Sequence, residues 1–108
     1  DIFPGVIPSM EATIKAPYSD AKEKYRMASP VNYLSKDSCP TFILIADNEH
    51  IFPAEQCEEA VETLRKYGVK ADCKTYKNVE HGFFYSLERW QQKEAFNDVL
   101  DFIKSLSV

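Results

Sequence analysis

The chain has 108 residues, of which 44% are hydrophobic and 13% aromatic, and it carries a formal net charge of −4. This length fits one domain or a piece of one, and the composition is that of a folded core and not of a disordered segment. The acidic balance argues against a nucleic-acid partner, and no apolar run approaches the ~20 residues of a membrane span.

The three cysteines, Cys39, Cys57 and Cys73, have no C-x-x-C spacing, and their odd number does not suit a disulfide framework. Cys57 and Cys73 fall on apolar faces of predicted elements, where we expect small buried side chains. Cys39 has no neighbour in sequence that would activate it as a nucleophile. Unpaired cysteines favour the cytoplasm, whereas removal of a signal upstream would be compatible with secretion.

The first part of the chain is predicted to be irregular, because three prolines and a glycine fall within its first eighteen residues. A short helix is expected from Met10 to Lys15. A second is expected from Asp20 to Ala28, with Asp20 as its cap and Glu23 in the capping-box position. Ser29-Pro30 ends it, since the residue before proline is pushed out of the helical region.

A strand and a helix are predicted next. The run Thr41 to Ala46 is apolar and rich in β-branched residues, which is typical of a strand buried on both faces. Pro53 is expected in the first turn of the following helix, where its missing N–H costs nothing. Gly68 is expected to close that helix as the residue after its C-cap.

The segment Val69 to Tyr76 alternates between small or apolar and polar residues, which predicts a strand with one solvated face and Tyr76 on that face. A loop is predicted from Lys77 to Leu87, and a last helix from Arg89 to Leu106. Because two strands flank a helix-length crossover, we expect a parallel pair and an α/β fold. Two strands are too few for a complete sheet of this kind.

Polar segments follow the carboxyl ends of both predicted strands. Asp47 and Glu49 follow the first strand, and His81 follows the second. Sites in open α/β sheets form outside the carboxyl ends of the strands, so a carboxylate and an imidazole should meet there, as a catalytic triad requires. Glycine occurs only at 5, 68 and 82, so no serine of this chain lies in a G-x-S-x-G turn.

These residues carry a resemblance to the C-terminal part of the α/β-hydrolase superfamily. The nearest branches are esterases of the acetylxylan- and feruloyl-esterase type, the dienelactone hydrolases and the prolyl oligopeptidases. Those families share S-P, a P-x-hydrophobic strand, G-x-x-D-x-x-V-P, a helix ending in G, an edge strand and H-G-F. The matching segments, within residues 29–106, are Ser29-Pro30, Pro40 with its strand, Ala46 to Pro53, Gly68, and His81-Gly82-Phe83.

The resemblance implies that His81 is the catalytic base and Glu49 the catalytic acid, because Glu49 stands four residues before Pro53. Two departures are evident, since the acid is usually Asp and the residue at Ala46 is usually Gly. Asp47 is the alternative acid. Phe83 and Phe84 are candidates to line a substrate pocket, with packing between the last helix and the sheet as the alternative. A metal site that Glu49 shares with the neighbouring His50 is disfavoured, because no third ligand is in spacing.

The implied fold is the C-terminal portion of an α/β-hydrolase, incomplete on its own, with residues 1–28 as an arm near a cap and 29–108 as a β-α-β-α part. The implied reaction is ester hydrolysis, on a small-molecule or carbohydrate-linked ester, without metal or organic cofactor. The nucleophilic serine would lie upstream of Asp1 or on a partner chain, so the isolated chain would be inactive. Two alternatives stay open: a non-catalytic interaction module that retains part of the fold, and a serine peptidase of prolyl-oligopeptidase type.

Overall fold

The computed structural model describes residues 6–49 and 53–106. Within them the chain forms, in order, α1 (Val6–Ile14), α2 (Lys22–Ala28), β1 (Thr41–Asn48), α3 (Ala54–Lys66), β2 (Ala71–Glu80) and α4 (Trp90–Ser105). Short 3-10 turns, Tyr18–Asp20 and Pro30–Tyr33, flank α2. The predicted order of elements is confirmed. None of the helices described is long and apolar enough to cross a membrane.

The two strands pair in parallel, as the helix-length crossover between them requires. Thr41 lies opposite Ala71, and the register continues evenly to Ala46 opposite Tyr76. The next recorded pair is Asn48 with Glu80, so β1 advances two residues while β2 advances four. Two extra residues on β2 therefore form a bulge just before the strand ends, with Asn78 at φ +60° inside it.

Each face of the strand pair is covered by one helix. Val61 and Leu64 of α3 are each 2% exposed and pack with Val69 and Ala71 on one face. Burial of a Val or Leu side chain contributes roughly 1.5–3 kcal/mol. On the other face, Ala95 of α4 belongs to a second buried cluster, with Ala46, Tyr76, Val79 and Phe83. The predicted α/β class, with β1 covered on both faces, is confirmed.

The second strand differs from the prediction in length and in exposure. It runs to Glu80, so the first four residues of the predicted loop belong to the strand. Tyr76, expected on a solvated face, is 2% exposed. Its ring centroid lies 5.3 Å from that of Phe83, and its hydroxyl donates a hydrogen bond of 2.7 Å to Asp98 Oδ2. The polar end of Tyr76 is thus satisfied by a helix that lies 22 residues further along the chain.

The helix ends confirm some local predictions and correct others. Gly68 has φ +80° and donates to the carbonyl of Arg65, while Val69 N–H donates to Leu64 at 3.0 Å, which together form a Schellman motif. Pro53 is the N-cap of α3 and not its first residue. Asp20 does not cap α2, because it lies in a 3-10 turn and the helix begins at Lys22.

Two further details of the arm also depart from the sequence-based expectation. The predicted partner of the Asp20 cap, Glu23, accepts hydrogen bonds from Arg26 Nε instead, at 3.0 and 3.1 Å. Helix α1 begins at Val6, four residues before the predicted start at Met10. Proline at position 8 is accommodated there, because the first turn of a helix needs no N–H from it. The assignment of residues 1–28 to a separate arm stays a prediction.

The described residues form an extended and thin unit. The Cα radius of gyration is 16.1 Å, with principal extents of 45 × 34 × 19 Å. A compact domain of this length would have a radius of gyration of about 13 Å. Helix α2 contains no buried residue. A two-stranded sheet with a helix on each face agrees with the expected portion of a larger α/β fold, because two strands are too few for a complete sheet of this kind.

A charged cluster fastens α4 to β2. Lys74 Nζ lies 2.9 Å from Glu94 Oε1 and 2.9 Å from Asp98 Oδ2, the oxygen that also accepts from Tyr76. Partial burial opposes ionisation of Asp98, but the hydrogen bonds from Lys74 and Tyr76 outweigh it and hold the pKa of Asp98 below its usual value. Asp98 therefore stabilises the folded chain as a carboxylate.

We expect Asp98→Asn to lower the free energy of unfolding by about 1 kcal/mol at pH 7, allowing for the solvent exposure of Lys74. Because the pKa of Asp98 is lowered in the folded state, its contribution is complete above about pH 4 and is lost as the pH falls. The difference between Asp98→Asn and wild type should therefore shrink at low pH in denaturant unfolding experiments. Asp101→Asn, a change at an exposed position of the same helix, is the control. An equal effect of both substitutions at all pH values would contradict the assignment.

Candidate active site

His81 is held at the first residue after β2 by a tight turn. Phe83 N–H donates a hydrogen bond of 3.1 Å to the carbonyl of Glu80, which closes the turn. Gly82 occupies its third position with φ +73°, the value that a type II turn requires there. A Cβ at Gly82 would meet no atom within 4 Å, so there is room for a side chain. The positive φ, and not a lack of space, is therefore the reason why glycine suits this position. This turn directs the imidazole toward the end of β1.

Glu49 follows the last residue of β1 and meets that imidazole. Glu49 Oε2 lies 2.8 Å from His81 Nδ1. The Glu49 side chain is 15% exposed and that of His81 is 47% exposed. Contact through Nδ1 is the arrangement by which a triad acid fixes the tautomer and orientation of a catalytic imidazole. The structure thus brings together the acid and the histidine that the sequence predicts as a pair.

Asp47, the alternative acid, hydrogen-bonds to the backbone of β2. Its Oδ2 accepts from Asn78 N–H at 2.8 Å, and its Oδ1 accepts from Val79 N–H at 3.1 Å. The hydrogen bond from Asn78 is the main reason why the pKa of Asp47 is lowered, against a smaller opposing effect of burial. Asp47 therefore binds the backbone of the β2 bulge across the sheet. The other charged neighbour considered from sequence, His50, lies outside the described residues.

A cavity of about 330 Å³ opens beside the Glu49–His81 pair. Its wall combines one edge of β1, the start of α3 and the turn after His81: Ile43, Leu44, Ile45, Ala46, Glu49, Ala54, Cys57, His81, Gly82, Phe83 and Phe84. Successive side chains of a strand point to opposite faces, so four consecutive residues border one cavity only along the strand edge. The edge of β1 that faces away from β2 therefore opens into the cavity.

The two candidate pocket residues have different environments. Phe83 is 3% exposed and belongs to the core under α4, whereas Phe84 is 39% exposed. Both border the cavity. Tyr85 and Trp90, further along the same segment, are 72% and 62% exposed. Phe84 is thus the aromatic ring that combines proximity to His81 with access from solvent.

Cys57 also borders the cavity. Burial raises the pKa of its thiol, and the charges of Glu49 and Glu58 raise it further. A thiol in this environment is a poor nucleophile, because the thiolate is disfavoured. Across the residues that the structure describes, no group of three or more His, Cys, Asp or Glu side chains could hold a metal ion.

Sequence reasoning missed a buried glutamine that organises the segment after His81. Gln92, in the first turn of α4, is 0% exposed. Its Oε1 accepts from the N–H of Arg89, the N-cap residue, at 2.8 Å. A glutamine three residues after an N-cap is a capping-box signal, but that signal was hidden because the N-cap is arginine and not Ser, Thr, Asp or Asn.

An acid and a histidine lie at the carboxyl ends of adjacent parallel strands that a crossover helix joins, which is the placement that an α/β-hydrolase site requires. The sequence profile of the dienelactone hydrolase family matches residues 7–107. The chain therefore belongs to the dienelactone hydrolase family, within the α/β-hydrolase superfamily, and the resemblance read from the sequence is confirmed.

A curated relative supports the same relationship. The chain is 33% identical over 66 residues to a Mycobacterium tuberculosis protein named "Probable carboxylic ester hydrolase LipM". The match covers 60% of this chain and 15% of the relative, so the chain spans a small part of that relative's length. No solved structure gives a significant match to the chain.

We expect Asp47→Ala to lower the melting temperature, because the N–H groups of Asn78 and Val79 lose their acceptor. The lowered pKa of Asp47 means that its contribution is complete above about pH 4 and is lost as the pH falls. The difference from wild type should therefore be larger at pH 7 than at pH 3 in thermal unfolding. Glu49→Ala, which removes a carboxylate two residues away but leaves the bulge amides paired, is the control. A melting temperature for Asp47→Ala equal to that of wild type would refute the structural role.

Proposed function

We propose that the protein containing this chain is a carboxylic-ester hydrolase that uses a serine, a histidine and an acid, with His81 as the base and Glu49 as the acid. The observation that carries this proposal is the 2.8 Å contact between Glu49 Oε2 and His81 Nδ1 at the ends of two parallel strands. Family membership and the name of the mycobacterial relative support it.

The proposed mechanism has two acyl-transfer steps. In the first, His81 accepts the proton of a serine hydroxyl while the serine oxygen attacks the ester carbonyl; His81 then gives that proton to the departing alcohol. In the second, His81 takes a proton from water, whose oxygen attacks the acyl-serine, and returns the proton to the serine. Glu49 stays ionised throughout, since it orients the imidazole and stabilises the imidazolium form.

The nucleophile and its oxyanion hole are proposed to come from sequence outside this chain. No serine among these 108 residues stands in a G-x-S-x-G turn. The edge of β1 that faces away from β2 borders the cavity next to His81, which supports a further strand and the nucleophile-bearing part of the sheet on that side. That part is either the preceding portion of the same protein or a partner chain. The isolated chain is then inactive.

The substrate is proposed to be a small-molecule or carbohydrate-linked ester. The cavity beside His81 has a largely apolar wall, formed by aliphatic residues of β1 and by Phe84. An apolar wall next to a base suits the acyl or aromatic group of a substrate. In such pockets a small number of polar residues fix the orientation of the bound molecule. Phe84 is the proposed contact, and Phe83 supports the turn from beneath.

Replacement of the acid and the base in the complete protein tests these roles. His81→Ala should lower kcat roughly 10⁴-fold or more, and Glu49→Gln should lower it by several orders of magnitude, because the imidazole loses its fixed orientation. Glu49→Asp should cost roughly 10²-fold, since the shorter side chain withdraws from Nδ1 by about 1 Å. Steady-state hydrolysis of p-nitrophenyl esters is the measurement. Glu88→Gln, at an exposed position after His81, is the control, and a His81→Ala variant with wild-type kcat would refute the proposal.

Fluorophosphonate labelling tests the location of the nucleophile. The complete protein should carry the label on a serine outside residues 1–108, and His81→Ala should abolish labelling because the serine loses its base. Intact-mass and peptide mass spectrometry of every polypeptide present would identify that serine. Absence of any label in active preparations would contradict a serine mechanism, and a stable, inactive and unlabelled protein would favour a non-catalytic interaction module.

A further inference from the structure

Gln92 binds four groups of the segment that connects His81 to α4. Its Oε1 accepts from Ser86 Oγ at 3.0 Å, from Glu88 N–H at 3.1 Å and from Arg89 N–H at 2.8 Å. Its Nε2 donates to the carbonyl of Phe83 at 2.8 Å. The reverse orientation of the amide would set its donors against two backbone N–H groups, so the orientation is fixed by chemistry.

Phe83 links this amide to the turn that carries His81. Its N–H closes the turn onto Glu80, its side chain is buried under α4, and its carbonyl accepts from Gln92. The backbone N–H, the backbone carbonyl and the ring of Phe83 are therefore all fixed by contacts. His81 lies two residues before it, so displacement of the Phe83 backbone would move the imidazole directly.

The other end of the segment is tied back to the same turn. The Arg89 guanidinium contacts the carboxylate of Glu80, with Nη2 at 2.9 Å from Oε1 and Nη1 at 3.3 Å from Oε2. The backbone N–H of Arg89 binds Gln92. An ion pair thus joins the two ends of the segment from Glu80 to Arg89. Between these ends, the side-chain amide of Gln92 binds several groups of the same segment.

We propose that Gln92 is a positioning residue for His81, which keeps the turn at Glu80–Phe83 in the orientation that presents His81 Nδ1 to Glu49. This inference rests on the proposed function, in which His81 is the catalytic base. The His81 side chain is 47% exposed, so side-chain packing restrains it on part of its surface only, and the turn that carries its backbone contributes to its orientation together with Glu49. A buried amide with four partners gives that turn a single conformation.

Comparison of Gln92→Met with Asn97→Met in the complete protein tests this role. Both substitutions replace a side-chain amide of α4, but Gln92 is buried against the segment after His81, whereas Asn97 is exposed. Gln92→Met should lower kcat about 10- to 100-fold with KM changed less than about threefold, because a misplaced base affects the chemical step more than binding. Asn97→Met should change kcat less than about threefold.

A spectroscopic measurement separates this proposal from the proposed function. In protein labelled with ¹³C and ¹⁵N at histidine, the His81 imidazole resonances should shift or broaden in Gln92→Met and stay at their wild-type positions in Asn97→Met. If the His81 resonances stay at their wild-type positions in both variants, the positioning role is overturned, whatever the activity. A wild type that does not hydrolyse esters would defeat the proposed function, and the spectra would still decide whether Gln92 sets the orientation of His81.

Gln92→Glu keeps the proposal testable if Gln92→Met does not fold. The carboxylate retains acceptors for Ser86 and the two N–H groups, and it replaces only the donor to the Phe83 carbonyl. We expect a loss of kcat of about 10-fold, with altered His81 resonances, in a folded protein. Wild-type kcat and wild-type His81 resonances in Gln92→Glu would overturn the proposal.

Discussion

The bulge in β2 is the constraint on which the candidate site depends. With the even register of the first six pairs, Glu49 would lie opposite Val79, and His81 would extend two residues beyond it, about 6.6 Å along the strand. The two extra residues on β2 shift the register, so that Asn48 pairs with Glu80 and the next residues on each strand are Glu49 and His81. An irregularity in the ladder thus sets the Glu49 carboxylate beside the His81 imidazole.

A bulge leaves backbone N–H groups without ladder partners, and such groups are costly when they are removed from water. Asp47 resolves this cost, since its two oxygens accept from Asn78 and Val79 within the bulge. The two carboxylates at the carboxyl end of β1, Asp47 and Glu49, therefore have separate tasks. Asp47 stabilises the bulge in β2 through the N–H groups of Asn78 and Val79. Glu49, whose side chain is longer by one methylene, contacts His81 just after that bulge.

The parts of this arrangement that follow local rules were predictable from sequence. The apolar run after Pro40 identified β1, Gly68 marked the end of α3, and the parallel topology placed Glu49 and His81 at one edge of the sheet. The bulge at Asn78 was not predictable, because its stabilising carboxylate lies 31 residues away. The burial of Tyr76 was missed for a similar reason: a tyrosine in an alternating strand looks solvated until a distant helix provides Asp98 for its hydroxyl. Gln92 was missed because its four partners lie in a segment with no regular pattern.

The contact between Glu49 and His81 and its supports lie within this chain, although no serine of the chain stands in a G-x-S-x-G turn. Glu49, His81, the turn at Gly82 and the supports from Asp47 and Gln92 all lie within residues 47–92. An imidazole oriented before the nucleophile arrives needs no rearrangement during reaction, which is the physical advantage of a preorganised site. Under the proposed function, the cavity along the edge of β1 marks the side from which the rest of the sheet approaches, because a serine would have to come within hydrogen-bonding distance of His81 there. The incomplete sheet and the Glu49–His81 contact then have one explanation under the proposed function: this part of the protein would orient the proton-transfer groups, and the remaining part would bring the nucleophile to them.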